Sequence, residues 1–422
     1  MKPSLTRRSL LALGGAATLA ACSAPAAQQA SAMYVSWYGG NPVHKAMQAN
    51  LDAFGAGHAG LKITSNGVAF GDYWDRLATE TAAKGAPDVF RMSMSYFSEY
   101  ADRGALLDLG QAAESAIRTK DLDPDVFASG RIGDKLYGIG QSSISHAAFR
   151  NPELVASVGG TLPKEWDWKQ LAEFATGFAG EAGDGKWGVA DIGGNLQMFE
   201  VYARQHGTDL FGEQGWVVPD EVVADWFAYW QDLRTAKAAP PGNVTAESGD
   251  FETSTLAKGT APINFGWVQQ VTFYQPLVTD AALEVAPLPG DVSGSLKGQF
   301  LKALDFWCVS ARSSAVEVAE QLIDFLVNDP VAIRSTGLLL GVPPSGAARD
   351  ALGAAADTAE GRAIAYVEAI ADKVGPAPGA WPKGYGQLLT DFTRFNQDIA
   401  FNRSTPAKAA TDFAAAAKQA LS

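Results

Sequence analysis

The chain reads as an α/β protein folded into two globular lobes, with mixed, mostly parallel sheets flanked by helices. Two observations predict this. From Met33 to Leu109, short apolar runs alternate with amphipathic helical stretches, the order that builds a parallel sheet covered on both faces. The 422 residues, 47% of them hydrophobic and 19% charged, are enough for two cores.

Met33 to Tyr38 alternates as a first strand, and Gly39-Gly40-Asn41-Pro42 turns from it into a helix starting near Val43. That turn places Trp37, Tyr38 and Asn41 at a strand's carboxyl end. Leu61 to Val68 is the second strand. In the helix that follows, Asp72 suits the N-cap and Asp75 the positive first turn, Tyr73, Leu77 and Thr81 share a face, and Gly85 with Pro87 stops it. Asp88, Val89 and Phe90 then form a short buried strand that opens into a polar loop, Arg91 to Ser95, where open α/β sheets hold ligands. A further helix runs from near Tyr96 to Gly104.

Helical spacing recurs from Trp168 to Phe178, Asn195 to Gln205 and Asp220 to Leu233. Asp250 to Lys258 reads as a short helix, and Ala261 to Phe265 as a strand delivering Gly266 and Trp267 to a loop. Ser314 with Glu317 forms a capping box for a helix ending near Asn328 and Pro330. Gly375 to Gly386 is a Pro/Gly-rich loop holding Trp381 and Tyr385, and Thr405-Pro406 starts a last helix.

Residues 1–21 read as an export signal. Thr6-Arg7-Arg8-Ser9-Leu10-Leu11 resembles a twin-arginine motif, and Leu19-Ala20-Ala21-Cys22 resembles a lipobox, which would make Cys22 the lipidated first residue of a tether over 22–32. An ordinary cleaved signal or a short membrane anchor are the alternatives. A formal charge of −13 argues against nucleic acid or anionic lipid as partners.

Little in the sequence points to catalysis. The four histidines are scattered, with no H-E-x-x-H and no Cys/His pairing, and no cofactor or metal is expected. There is no G-x-S-x-G elbow, and Gly138 with Gly140 gives only G-x-G. Gly180 to Lys186 superficially fits a phosphate loop, but Trp187 stands where Ser or Thr belongs, so this is a surface loop. Cys308, in an apolar run, reads as a buried structural thiol. A glycosidase pair could be assembled in space from 46 acids, although no spacing marks one.

The stretch Gly71 to Leu109, followed in order by Lys135 to Gly140 (KLYGIG), Arg150 to Leu154 (RNPEL), Trp166 to Leu171 (WDWKQL), Phe251 to Trp267 and Glu284 to Pro289 (EVAPLP), resembles the extracellular solute-binding proteins of ABC importers. The closest resemblance is to the carbohydrate-binding, maltose-binding-protein-like group. It implies a periplasmic-binding-protein type II fold with the ligand cleft between the lobes. Lobe 1 would comprise 33–140 and 270–325, lobe 2 141–269 and 326–422, with a hinge strand at Lys135 to Gly140 and Leu283 to Pro287 in the first lobe's sheet.

A sugar receptor needs flat rings for pyranose faces and polar groups for hydroxyls. Trp37, Trp267 and Trp381 each lie close to Gly or Pro on a loop. The resemblance implies further contacts at Tyr38, Asn41, Met94, Ser95, Ser143, Ile144, Asn195, Phe199 and Tyr385, with Asp72 and Asp305 as polar candidates. An acid that maltose binders present near Ser95, and another near Ser143, is absent, so maltose itself is not implied. The function implied is capture of a di- or oligosaccharide by a monomeric lipoprotein that delivers it to permease subunits with a separate ATPase. A receptor of the same fold for another solute, such as a glycerophosphodiester, is the alternative, and a secreted glycoside-acting enzyme a more distant one.

Overall fold

The computed structural model describes residues 30–164, 166–213, 215–290 and 296–421; Cys22 and the export signal lie outside the described residues. In chain order the strands are β1 (Ala32–Tyr38), β2 (Lys62–Val68), β3 (Val89–Ser93), β4 (Arg131–Ile132), β5 (Lys135–Leu136), β6 (Ile139–Gly140), β7 (His146–Arg150), β8 (Phe211–Gly212), β9 (Gly215–Trp216), β10 (Ile263–Trp267), β11 (Glu284–Ala286) and β12 (Asp305–Val309). One lobe holds a five-stranded sheet ordered β2-β1-β3-β12-β6, the other a three-stranded sheet ordered β10-β7-β11. The pairs β4–β5 and β8–β9 form separate small sheets.

Among the strands of the described residues, only β1 with β2 and β3 pair in parallel, which corrects the expectation of mostly parallel sheets. β12 runs against β3 and β6, and the second sheet is antiparallel throughout. In that second sheet no strand reaches its neighbour by a single helical crossover, the unit that enforces parallel pairing. The assignment of Leu283 to Pro287 to the first sheet also fails, because Glu284–Ala286 pairs with β7. Conversely, the helix Pro330–Thr336 packs on the helix Asn41–Ala56, beside the first sheet.

Period-two alternation explains the layers. Met33, Val35 and Trp37 point beneath the helix Asn41–Ala56 and join Met47, Leu51 and Phe54, whereas Tyr38 faces the opposite side with Tyr73 and Leu77 of the helix Phe70–Ala82. Each such burial contributes about 1.5–3 kcal/mol. The G-x-G at Gly138 and Gly140 serves packing: a Cβ on Gly138 would stand 2.7 Å from that of Phe306, and one on Gly140 2.8 Å from that of Ala303. No side chain fits between the β6 segment and β12.

Several local readings change. The helix Phe70–Ala82 is entered from Ala69, so Asp72 sits in its first turn without capping it. Arg91 to Ser93 belongs to β3, and the next helix, Met94–Asp102, starts immediately with Ser93 as its cap, which leaves no polar loop. Ser314 forms no cap: the helix Val316–Asn328 follows Ala315, whose N–H is held by Ser313 Oγ at 3.0 Å. Asp250 to Lys258 is a run of turns and bends.

In the second lobe the helices Trp168–Ala182, Leu196–Gln205, Asp220–Thr235, Tyr385–Ala400 and Pro406–Ala420 pack around Phe199, Trp226, Trp230, Phe392 and Phe413. Within this core Arg234 clamps Asp191 through two bonds, Nε to Oδ2 at 2.7 Å and Nη2 to Oδ1 at 2.9 Å. Asn396, Thr245 and the Gly193 N–H complete the network.

The lobes are joined where the segment after β6 meets two returning segments. Ser143 bridges Val342 and Ile144 bridges Lys302, with the Ile144–Lys302 backbone pair exchanging bonds of 3.0 and 3.1 Å. Behind them Arg349 donates to Asp123 at 2.9 Å and to Glu368 at 3.3 Å.

Candidate functional site between the lobes

On the first lobe, register brings three side chains together. Tyr38 ends β1, Arg91 lies within β3, and Asp305 begins the reversed strand β12 opposite Ser93, so all three meet at one edge of the sheet. Arg91 donates to Asp305 Oδ2 and to the Tyr38 carbonyl, both at 2.9 Å, and its guanidinium lies 4.2 Å from the Tyr38 ring centre. The Tyr38 hydroxyl donates to Asp305 Oδ1. Burial, reinforced by the Asp305 charge, pushes the Tyr38 phenol well above its usual range. Aromatic rings continue from this cluster: Trp74 stacks on Tyr96 at 3.9 Å, and Phe70, 49% exposed, meets Tyr38 edge-on at 5.1 Å.

The second wall is built from distant parts of the chain. His146 at the start of β7 pairs with Trp267 at the end of β10, their rings 4.3 Å apart, and Phe300 meets the imidazole edge-on at 5.0 Å. Trp381 stacks on Tyr385 at 4.0 Å, with Lys302 Nζ 4.9 Å from the Trp381 ring centre and 5.5 Å from that of Phe300. Glu200, on the buried face of the helix Leu196–Gln205, completes the group. Ser98 of the first lobe donates to the Trp381 carbonyl at 2.8 Å, so the two walls touch.

This seam contains an unusual density of unmet polar atoms. Both ring nitrogens of His146, Glu200 Oε2, Trp381 Nε1 and the Tyr385 hydroxyl are buried short of full hydrogen-bond geometry, with Trp381 the neighbour of Glu200 and Gln197 the neighbour of His146 and Tyr385. Leaving such groups unpaired costs about 1–3 kcal/mol each. Burial also moves the charges. It lowers His146 to about 3, with the Lys302 and Arg204 charges adding to the effect, and lowers Lys302 to about 8 against the pull of Glu200. It raises Glu200 against the opposing pull of Lys302 and Arg204.

A pH dependence follows for His146. Below its ordinary value of 6.5 the unfolded chain takes up a proton that the folded chain refuses down to about pH 3. The unfolded state thus binds more protons across that window, and stability falls on acidification by up to about 1.4 kcal/mol per pH unit. Melting temperatures from pH 7 to pH 4 are expected to fall more steeply for the native chain than for His146→Asn. Parallel profiles would refute the assignment.

Of the residues expected from sequence, Tyr38 meets Asp305, Trp381 meets Tyr385, and Trp267 lies against His146. Trp37 joins none of them: one residue from Tyr38, it points to the opposite sheet face and donates to His44 Nδ1 at 3.0 Å. Asn41 and Asp72 are exposed at helix starts. Met94 is core, and Ser95 is half-buried with its N–H directed to Ser93 Oγ. Ser143 and Ile144 lie on the segment between β6 and β7, where they bridge Val342 and Lys302 and the Ser143 hydroxyl donates to Asp123. Asn195 caps the helix Leu196–Gln205, accepting from Gln197 N at 3.0 Å, and lines a cavity of about 480 Å³ with Gln197 and Thr393. Phe199 is wholly buried among Trp216, Trp226 and Phe392.

Sequence reasoning missed His146, Glu200, Phe300 and Lys302, along with the ring cluster Phe70, Trp74 and Tyr96. One signal was available for Lys302: a lone cation inside the apolar run Phe300 to Leu304.

Comparison with known proteins places this architecture. The sequence pattern described as bacterial extracellular solute-binding protein matches residues 49–363. An extracellular solute-binding protein family 1 member from Alicyclobacillus acidocaldarius is similar at 25% identity, covering 94% of this chain and 100% of that one, with a TM-score of 0.75. The ABC substrate-binding protein Lmo0181 from Listeria monocytogenes, solved with cycloalternan, is 19% identical over 92% of this chain and 98% of its own, with a TM-score of 0.77. A periplasmic oligogalacturonide-binding protein from Yersinia enterocolitica, solved with saturated digalacturonic acid, gives 20%, 92%, 98% and 0.79. With three-quarters of its length matched and a two-lobed fold shared, the chain belongs to the bacterial extracellular solute-binding protein family.

Proposed function

We propose that the protein captures a di- or oligosaccharide in the seam between its lobes and delivers it to the permease of an ABC importer whose ATPase is a separate chain. One observation carries the reading: aromatic rings, Trp381 stacked on Tyr385 and Trp267 tilted against His146, border buried donors and acceptors that fall short of full hydrogen-bond geometry with the protein. Rings supply apolar area for pyranose faces, and unpaired polar atoms suit hydroxyls. Similar folds solved with cycloalternan and digalacturonic acid support it. Binding both walls favours the closed arrangement by differential affinity, and no bond is broken. The protein works as a monomer, held at the outer face of the cytoplasmic membrane through lipid on Cys22.

The test is thermal unfolding of the chain starting after Cys22 against mono-, di- and oligosaccharides and glycerophosphodiesters. A ligand at about 100 times its Kd adds about 2.7 kcal/mol and lifts the midpoint by several degrees. A shift with one sugar class, the sugar recovered intact, is the expected result. A shift with a glycerophosphodiester alone, or a sugar recovered cleaved, overturns it.

A further inference from the structure

None of the seam's residues lines a second cavity, of about 720 Å³, between the edge strand β11 and the helix Ala359–Ile370. On the strand side Arg150 of β7 stands in register with Glu284 and donates to its carboxylate at 2.7 Å. Trp166 closes that wall, its indole N–H on the Pro287 carbonyl at 3.0 Å and its ring centre 5.4 Å from the Arg150 guanidinium. The opposite wall is one stripe of the helix and the turn after it, where Arg362, Ala365, Tyr366, Ala369, Ile370 and Lys373 recur at spacings of three and four.

The charge around this space runs against that of the chain. Acids outnumber Lys and Arg by 46 to 33 in the sequence, yet Arg150, Lys164, Arg362 and Lys373 line the cavity beside a single acid, Glu284. Glu284 is taken by Arg150. Among the described residues, Lys164, Arg362 and Lys373 have no acid at ion-pair distance. Arg362 is fixed by neutral acceptors alone, with Nη1 donating to the Asp357 carbonyl at 2.6 Å and Nη2 to Gln275 Oε1 at 2.5 Å. Its Nε, like that of Arg150, is buried without an acceptor. The guanidinium is thus held in place with its charge uncompensated, the state in which a carboxylate, sulfonate or phosphate gains most. Between the cations the lining is apolar, with Trp166, Leu288 and Ile370 buried, and the exposed Ala365 and Ala369 are too small to fill the space.

We propose that this cavity is a second ligand site, independent of the sugar reading, and that it takes an amphipathic organic anion: one acidic head group on an apolar body. The head group meets the cations at the ends of the helical stripe, and the body covers Trp166 and the alanines. The volume falls within the roughly 300–1,000 Å³ usual for small-molecule sites.

The experiment is fluorescence titration of the chain starting after Cys22 with anilinonaphthalene sulfonate, an anion on an aromatic body. One saturable site is expected, emptied by decanoate and not by decanol. Ala369→Trp, which fills the space from an exposed helix position, is expected to weaken binding at least tenfold. Lys164→Glu with Lys373→Glu, which reverses two exposed charges, should do the same, and either variant serves if the other folds poorly. Both should keep whatever melting shift a sugar gives the native chain. Absence of saturable binding, displacement by decanol as strong as by decanoate, or an affinity that neither variant moves overturns the proposal and leaves the sugar reading intact. Displacement of the probe by a sugar places the anion in the seam and overturns it too. Binding to phosphatidylglycerol vesicles with no response to free decanoate would make this a lipid-facing surface instead. An anion site found in a chain that no sugar stabilises would sink the sugar reading alone.

Discussion

Asp191→Ala is expected to lower the unfolding free energy by about 3–5 kcal/mol, the cost of leaving a buried charge without its partner. Asp191 has no exposed side-chain surface, and Arg234 is nearly as enclosed. Truncation strips the guanidinium of two short bonds and leaves only Asn396 and Gln231 as side-chain partners. Gly193 and Thr245 lose an acceptor as well. The measurement is a pair of denaturant melts, native and variant. Asp191→Ala with Arg234→Met should recover much of the loss, because removing both charges is far less costly than removing one. A single variant within about 1 kcal/mol of native would show the pair to be marginal.

Trp381→Ala is expected to weaken sugar binding by about 2–4 kcal/mol, on the order of thirty-fold to a thousand-fold, the range for truncating a central tryptophan anchor. The indole stacks on Tyr385, lies beside the Lys302 ammonium and turns its N–H towards Glu200, so one truncation removes a flat face, a cation–π partner and a donor. Trp381→Phe should fall between the two, since a ring remains without the N–H. Calorimetry with the ligand that raises the melting midpoint checks both variants. Native affinity in Trp381→Ala would remove this ring from the site.

Much of the fold could be read locally because helix and strand periodicities are local. Asp220 to Leu233 emerged as the helix Asp220–Thr235, and Tyr38 was correctly set at a strand's carboxyl end. Its neighbour Trp37 shows the limit: a loop tryptophan and a strand tryptophan look alike beside glycine, and a single position along a strand reverses the face. β11 could be seen as a strand, yet its sheet is decided by β7, far away in sequence, so its lobe was misassigned. The unread half of the site has the same cause. His146, Glu200 and Lys302 each sit in an apolar stretch and look like isolated exceptions. They become a group only when Ile144 pairs with Lys302 and the helix Leu196–Gln205 packs behind them.

Cys308 lies fully buried in β12 against Gly138, and burial pushes its thiol well above the usual range, so it offers almost no reactive thiolate at neutral pH. The only other cysteine in the sequence is Cys22. A chain trimmed past Cys22 is therefore ready for dye chemistry without further engineering: one new cysteine on the exposed surface of each lobe would take a fluorophore pair, and energy transfer between them would report opening and closing one molecule at a time.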